Sequence, residues 1–182
     1  MQSTMENVTP YLMTSDEERA AVRVQDDSLF KEGLPSFISA AIEKTWAEPY
    51  ILLQRLTGKT AENLLEPVAR VMGNVAGKVL APAFRAAAKP GDHVLEPAMQ
   101  ATRLAENATG IIGEDFYVNE KKVVRRVHTC PYKGRDGATI LCHVGEAAGQ
   151  ELFAGLTPGI KHKVHVTMAR GHQFCEYSYE ID

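Results

Sequence analysis

The feature that most constrains this chain is a change of hydrophobic period near residue 120. Before it, apolar residues recur at helical spacing; after it, strand alternation appears on both sides of one further helical stretch. Phe37, Ile38, Ala41, Ile42, Thr45 and Trp46 predict a mostly helical run over 34–56, broken or kinked at Pro49 and resumed at Tyr50. Leu64, Leu65, Val68, Val71, Met72, Val75, Val79 and Leu80 predict a helical region over 62–88, interrupted by Pro67, Gly73, Gly77 and Pro82. The small residues there allow either close helix packing or plain irregularity. A third helix is expected over 94–107, after the turn Lys89-Pro90-Gly91-Asp92.

Beyond it, Val123, Val124, Val127 and Thr129 predict a strand closed at Cys130-Pro131. Helical spacing returns over 138–156 through Leu141, Val144, Ala148, Leu152 and Phe153, and Thr157-Pro158-Gly159 stops it. Val164 and Val166, then Cys175, Tyr177, Tyr179 and Ile181, alternate on either side of the turn Ala169–His172, which reads as a hairpin. Helices first, then strand, helix and hairpin, predict an α+β fold with N-terminal helices packed on a small antiparallel sheet. One domain over 1–182 is expected: a polar N-terminal extension (1–28), a helical half (29–108) and a cysteine-containing strand–helix–hairpin unit (109–182). Within the extension, Ser15-Asp16-Glu17-Glu18 has the composition of a helix start.

Charge and cysteine content narrow the classes of function. Twenty Lys and Arg against 23 Asp and Glu leave a net charge of −3, which argues against a general nucleic-acid binder. No apolar run is long enough to span a bilayer, and the N-terminal residues lack the pattern of a signal peptide. Three cysteines, an odd number, fit a reducing compartment better than a disulfide framework, so a cytoplasmic location is expected.

Those cysteines carry the candidate chemistry. Cys130 and His128 lie two apart on the expected strand and share a face; Cys142 and Glu146 lie four apart on the expected helix, with His143 on a neighbouring face. If the strand, helix and hairpin pack together, Cys130, Cys142 and Cys175 converge with an imidazole and a carboxylate. A thiolate beside an imidazole is a nucleophile toward electrophilic carbon, whereas Cys and His in tetrahedral arrangement suit zinc. Buried thiols acting as small hydrophobes are the third alternative. Lys121, Lys122, Arg125, Arg126, Lys133 and Arg135 form a basic cluster that is either a solvated strand edge or an attractor for an anionic ligand. His162 and His165, three apart on a strand, are expected on opposite faces, and with His93 and His172 are read as solvated or locally hydrogen-bonded. Neither a P-loop nor a dinucleotide fingerprint is present.

His128-Thr129-Cys130-Pro131-Tyr132, then Cys142, then Gly171-His172-Gln173-Phe174-Cys175-Glu176-Tyr177 resembles a pattern found in two related-looking groups. One is the L-2-amino-thiazoline-4-carboxylic acid hydrolase-like family; the other is the 4-vinyl-reductase domain, a small-ligand-binding module. Gly113-Glu114-Asp115 and the spacing Gly149…Gly155 are also similar to the second group, and the match spans about 110–182. The resemblance implies a helical layer on an antiparallel sheet, often dimeric. The first group implies a hydrolase of a small heterocyclic or amidine-like C–N bond. In it Cys130 or Cys142 would attack, His128 or His143 would move the proton, and Glu146 would orient the imidazole or activate water. Arg125 or Arg126 would meet a substrate carboxylate. The second implies a non-catalytic cavity for a small ligand, with Cys130, Cys142 and Cys175 structural or bound to zinc. Two positions depart from the pattern: Val144-Gly145-Glu146 stands where the hydrolases place an Asp, and Thr167 where zinc-binding members place a further Cys.

Overall fold

The structure is a computed structural model, and it describes residues 13–25, 48–87 and 89–182. Residues 34–47 of the helical run expected over 34–56 lie outside these residues. In chain order come α1 (Ser15–Ala20), β1 (Val22–Gln25), α2 (Glu48–Thr57), α3 (Lys59–Ala87) and α4 (Glu96–Ala108). After them come β2 (Ile112–Asn119), β3 (Lys122–Thr129), α5 (Thr139–Leu156), β4 (Lys161–Val166), a 3-10 turn at Met168–Arg170, and β5 (Cys175–Glu180). The five strands form one sheet in the order β1-β2-β3-β5-β4, every neighbouring pair antiparallel. The fold is α+β, as the change of period predicts.

The acidic N-terminal stretch opens α1 through a capping box in which Thr14 and Glu17 satisfy each other's backbone N–H groups. The segment expected to be a polar extension thus supplies a helix and the edge strand β1. Pro49 lies within α2, and the residues after it continue the helix to Thr57.

Helix α3 runs unbroken through Pro67, Gly73, Gly77 and Pro82, contrary to the expected interruptions. The glycines explain how the helix is held. A Cβ built on Gly73 would lie 2.0 Å from the Ala148 carbonyl oxygen of α5, and one on Gly77 would lie 2.7 Å from that of Leu152. The two backbones approach so closely that only hydrogen fits between them, and this packing outweighs local propensity.

The sheet has two unlike faces. Val123, Tyr179, Phe153, Leu95, Met99 and Leu156 form the main core on the helical side. Phe116 and Val124 pack with Met13 on the other, where the N-terminal segment lies. Strand alternation assigns each residue to a side.

Candidate functional site

Between the helical layer and the sheet lies a cavity of about 410 Å³. Helix α3 contributes Met72, Gly73 and Ala76, while α4 contributes Ala101, Thr102, Ala105 and Glu106. From α5 come Leu141, Cys142, Gly145, Glu146, Gly149, Leu152 and Phe153; from the strands come Val127, His162, Val164, Cys175, Tyr177 and Tyr179. Cys130, Tyr132 and Thr167 complete the wall at the strand ends. The lining is overwhelmingly apolar, and the space equals roughly a dozen water molecules, within the range of small-molecule pockets. A more open cleft of about 620 Å³ near Gln54 and Ala169 includes Arg135 of the basic cluster but none of the candidate cysteines, histidines or Glu146.

The structure brings Cys130, Cys142, Cys175 and Glu146 to this one cavity. Cys175 pairs with Val127 across β5 and β3, and Cys130 packs beside both. The Cys175 sulfur accepts a hydrogen bond from the Met168 amide at 3.2 Å. Cys142 and Glu146 share the inner face of α5, one turn apart.

All three thiols are held in their protonated form. Burial pushes Cys142 up to about 12, and the neighbouring Cys175 and Cys130 sulfurs add to it by opposing a second negative charge. Burial also raises Cys130 and Cys175, and the Glu106 carboxylate contributes to both.

The expected imidazoles and guanidiniums are placed elsewhere. The His128 side chain is on the opposite side of β3, half exposed, with Nε2 2.7 Å from Glu114 Oε1. His143 Nε2 lies 3.1 Å from Glu66 Oε2 on α3 and does not line the cavity. Arg126 is held by Glu176 and Glu18, with its guanidinium over the rings of Phe116 and Phe174.

Arg125 points to the helical side but is fully buried in an ion network behind the cavity wall. Its Nη1 donates to Asp115 Oδ1 at 2.8 Å and its Nε to Glu106 Oε2 at 2.7 Å. Asp115 Oδ2 accepts from Arg103, which also binds Glu96, and Tyr117 donates to Glu96. Both oxygens of Asp115 are therefore occupied by guanidinium donors. The expectation that Arg125 and Arg126 greet a substrate carboxylate is corrected: each is committed to carboxylates of the chain itself, because a desolvated guanidinium must be paired where it is buried.

Among the described residues, no group of three or more His, Cys, Asp or Glu side chains is arranged to hold a metal ion. Cys130, Cys142 and Cys175 share the cavity wall without forming a coordination set, so they do not fit the zinc reading.

Two wall residues were not singled out by the sequence. His162 lies on the inner face of β4, stacked on Tyr179 at 4.8 Å between centroids and edge-on to Phe153 at 5.2 Å. Its Nδ1 is buried without a hydrogen-bond partner, and burial drives its pKa down to about 4, so the ring is neutral at physiological pH. The alternation His162-x-Val164-x-Val166 would have placed it inside. Glu106 was equally legible: Ala101, Thr102, Ala105, Glu106 and Thr109 follow helical spacing along the cavity-facing side of α4.

Fold and site together define an α+β protein with an apolar internal chamber. Comparison with family models, with curated proteins and with solved structures gives no match for this chain.

Proposed function

We propose that this protein is a small-ligand-binding domain whose ligand occupies the chamber between the helical layer and the sheet. The carrying observation is the cavity of about 410 Å³, whose wall surface is mostly apolar and is contributed by three helices and three strands. A packed core of ordinary density leaves few voids larger than one water. The 4-vinyl-reductase-like fold and its ligand-binding role belong to this reading, carried by Cys130-Pro131-Tyr132, Cys142 and the Gly171–Tyr177 stretch.

The cysteine hydrolase implied by the same resemblance draws less support. Its nucleophile would have to be a thiolate, and burial opposes ionisation of all three thiols. The proton-handling histidines expected beside them bind Glu114 and Glu66 instead.

Pairing of two copies through α3 is part of the proposal. Leu64, Val68, Val71, Val75 and Val79 lie 54–70% exposed along one face of that helix, a contiguous stripe larger than the scattered apolar residues of a monomer surface. A reducing, cytoplasmic setting is in keeping with the three free thiols. No helix among the described residues is long and apolar enough to cross a membrane.

The test is titration with N-phenyl-1-naphthylamine, a neutral fluorophore that brightens in apolar surroundings. Saturable one-to-one binding is expected, lost in Val164→Trp, which fills the chamber, and retained in Cys130→Ser, Cys142→Ser and Cys175→Ser. Absence of saturable binding, or Val164→Trp binding as the parent does, counts against the reading. Hydrolysis of thiazoline carboxylate by the parent that is abolished in one Cys→Ser variant would restore the hydrolase.

A further inference from the structure

The charges and rings of the wall bear on what kind of molecule the chamber accepts. Among the described residues, the lining contains no lysine or arginine, and its charged side chains are two carboxylates, Glu106 and Glu146. Behind the wall, Glu106 is anchored by Arg125, whose side chain is wholly buried and does not reach the lining. Among the described residues, Arg125 and Arg103 are paired with three carboxyl groups, those of Asp115, Glu106 and Glu96.

Next to this carboxylate stands an aromatic wall. Tyr179 stacks on His162, and His162 meets Tyr177 edge-on at 6.0 Å. The Thr102 hydroxyl donates to the Ala98 carbonyl at 2.9 Å, which leaves the Tyr179 hydroxyl to donate to Thr102 at 3.3 Å. Thr102 and Glu106 are one turn apart on α4 and both line the chamber, so the tyrosine is pinned on the carboxylate's side of it. The Glu106 charge is felt there: after burial, it is the main influence raising both Tyr177 and Tyr179.

His162 adds an acceptor. A neutral imidazole carries one ring nitrogen able to accept, and the buried Nδ1 lacks a partner. Thiols and phenols kept protonated add no negative charge but present sulfur and ring faces. An ammonium group is attracted by aromatic faces and by a desolvated carboxylate, whereas a carboxylate ligand would meet two like charges and no cation.

We propose that the chamber takes a hydrophobic amine, its apolar body against Leu141, Leu152 and Val164 and its protonated nitrogen held by Glu106 at the aromatic wall. This rests on the ligand-binding reading above and adds the charge of the ligand to it.

The experiment displaces N-phenyl-1-naphthylamine from the full-length protein at pH 7 with three probes of like shape. They are 2-(2-naphthyl)ethylamine, cationic; 2-propylnaphthalene, neutral; and 2-naphthylacetate, anionic. The amine is expected to displace the fluorophore at a concentration at least tenfold below that of the neutral probe, and the anion at one at least tenfold above it. In Glu106→Gln the amine loses its advantage over the neutral probe, while the neutral probe is unaffected. If Glu106→Gln fails to fold for want of a counter-ion to Arg125, the ranking in the unmodified protein decides alone. A neutral or anionic probe that equals the amine in that ranking overturns the amine assignment and leaves the cavity reading intact. A protein that binds neither the fluorophore nor any probe overturns both.

Discussion

The seam between α3 and α5 gives a prediction in which one substitution has opposite signs at two glycines. Alanine at Gly73 would place its Cβ 2.0 Å from the Ala148 carbonyl oxygen and 2.8 Å from the carbonyl carbon. Both are backbone atoms, so no side-chain rotation relieves the contact, and the helices must part by roughly 1 Å or more to restore van der Waals separation. Overpacking of this kind costs about 1–3 kcal/mol or more, from which an alanine's better helix propensity returns up to about 1 kcal/mol. A net loss of about 2 kcal/mol is expected, which lowers the melting temperature by about 4–8 °C for a chain of this length. Gly145 on the same helix pair has no heavy atom within 4 Å of a built Cβ. Gly145→Ala therefore stabilises by about 0.5–1 kcal/mol. Urea unfolding of the two variants beside the parent measures both. Because Gly73 and Ala148 also line the chamber, Gly73→Ala should weaken fluorophore binding as well. A Gly73→Ala protein as stable as the parent would refute the close seam, whatever the result at Gly145.

Arg125→Met leaves Asp115 and Glu106 without their shared buried partner and is expected to cost about 3–5 kcal/mol, read as a fall in urea midpoint; a change within error would dismiss the network as structural. His162 titrates near 6.5 in the unfolded chain and near 4 in the folded one, so its contribution is fully present above pH 6.5 and is lost as pH falls toward 4. That span is worth about 3 kcal/mol, and His162→Phe should flatten the acid limb of the stability–pH curve. The thiols carry the opposite slope: their folded-state pKa values are raised, so stability is level below about pH 9 and falls as the unfolded chain ionises first. Alkylation by iodoacetamide at pH 7.5 should accordingly be at least tenfold slower in the native protein than in urea, and equal rates would contradict the protonated thiols.

Much of the fold was written in the hydrophobic period. The β-branched run of β3 and the alternation through Tyr177 and Tyr179 located the inner strands, and the convergence of Cys130, Cys142, Cys175 and Glu146 followed from packing them together. Strand β2 was not legible, because Glu114 and Asp115 interrupt its apolar alternation; their partners Arg23, His128, Arg103 and Arg125 lie on other elements. The same long-range pairing misdirected the reading of Arg125 and Arg126, since a local basic cluster does not show that each charge has its counter-ion across the sheet or on a helix. In the sequence His162 reads as a polar strand residue between two lysines, whereas its register with Tyr179 places it on the inner face. Helix α3 ran through its prolines and glycines because a backbone-to-backbone seam, a tertiary fact, held it.

Under the proposed function, ligand enters the chamber and does not settle on the exposed stripe of α3. Methyl NMR of the protein saturated with N-phenyl-1-naphthylamine tests it most directly. Shift changes are expected to concentrate at Ile111, Val127, Leu141, Leu152 and Val164, which line the cavity. Changes confined to Leu64, Val68, Val71, Val75 and Val79, on the exposed face of α3, would contradict it.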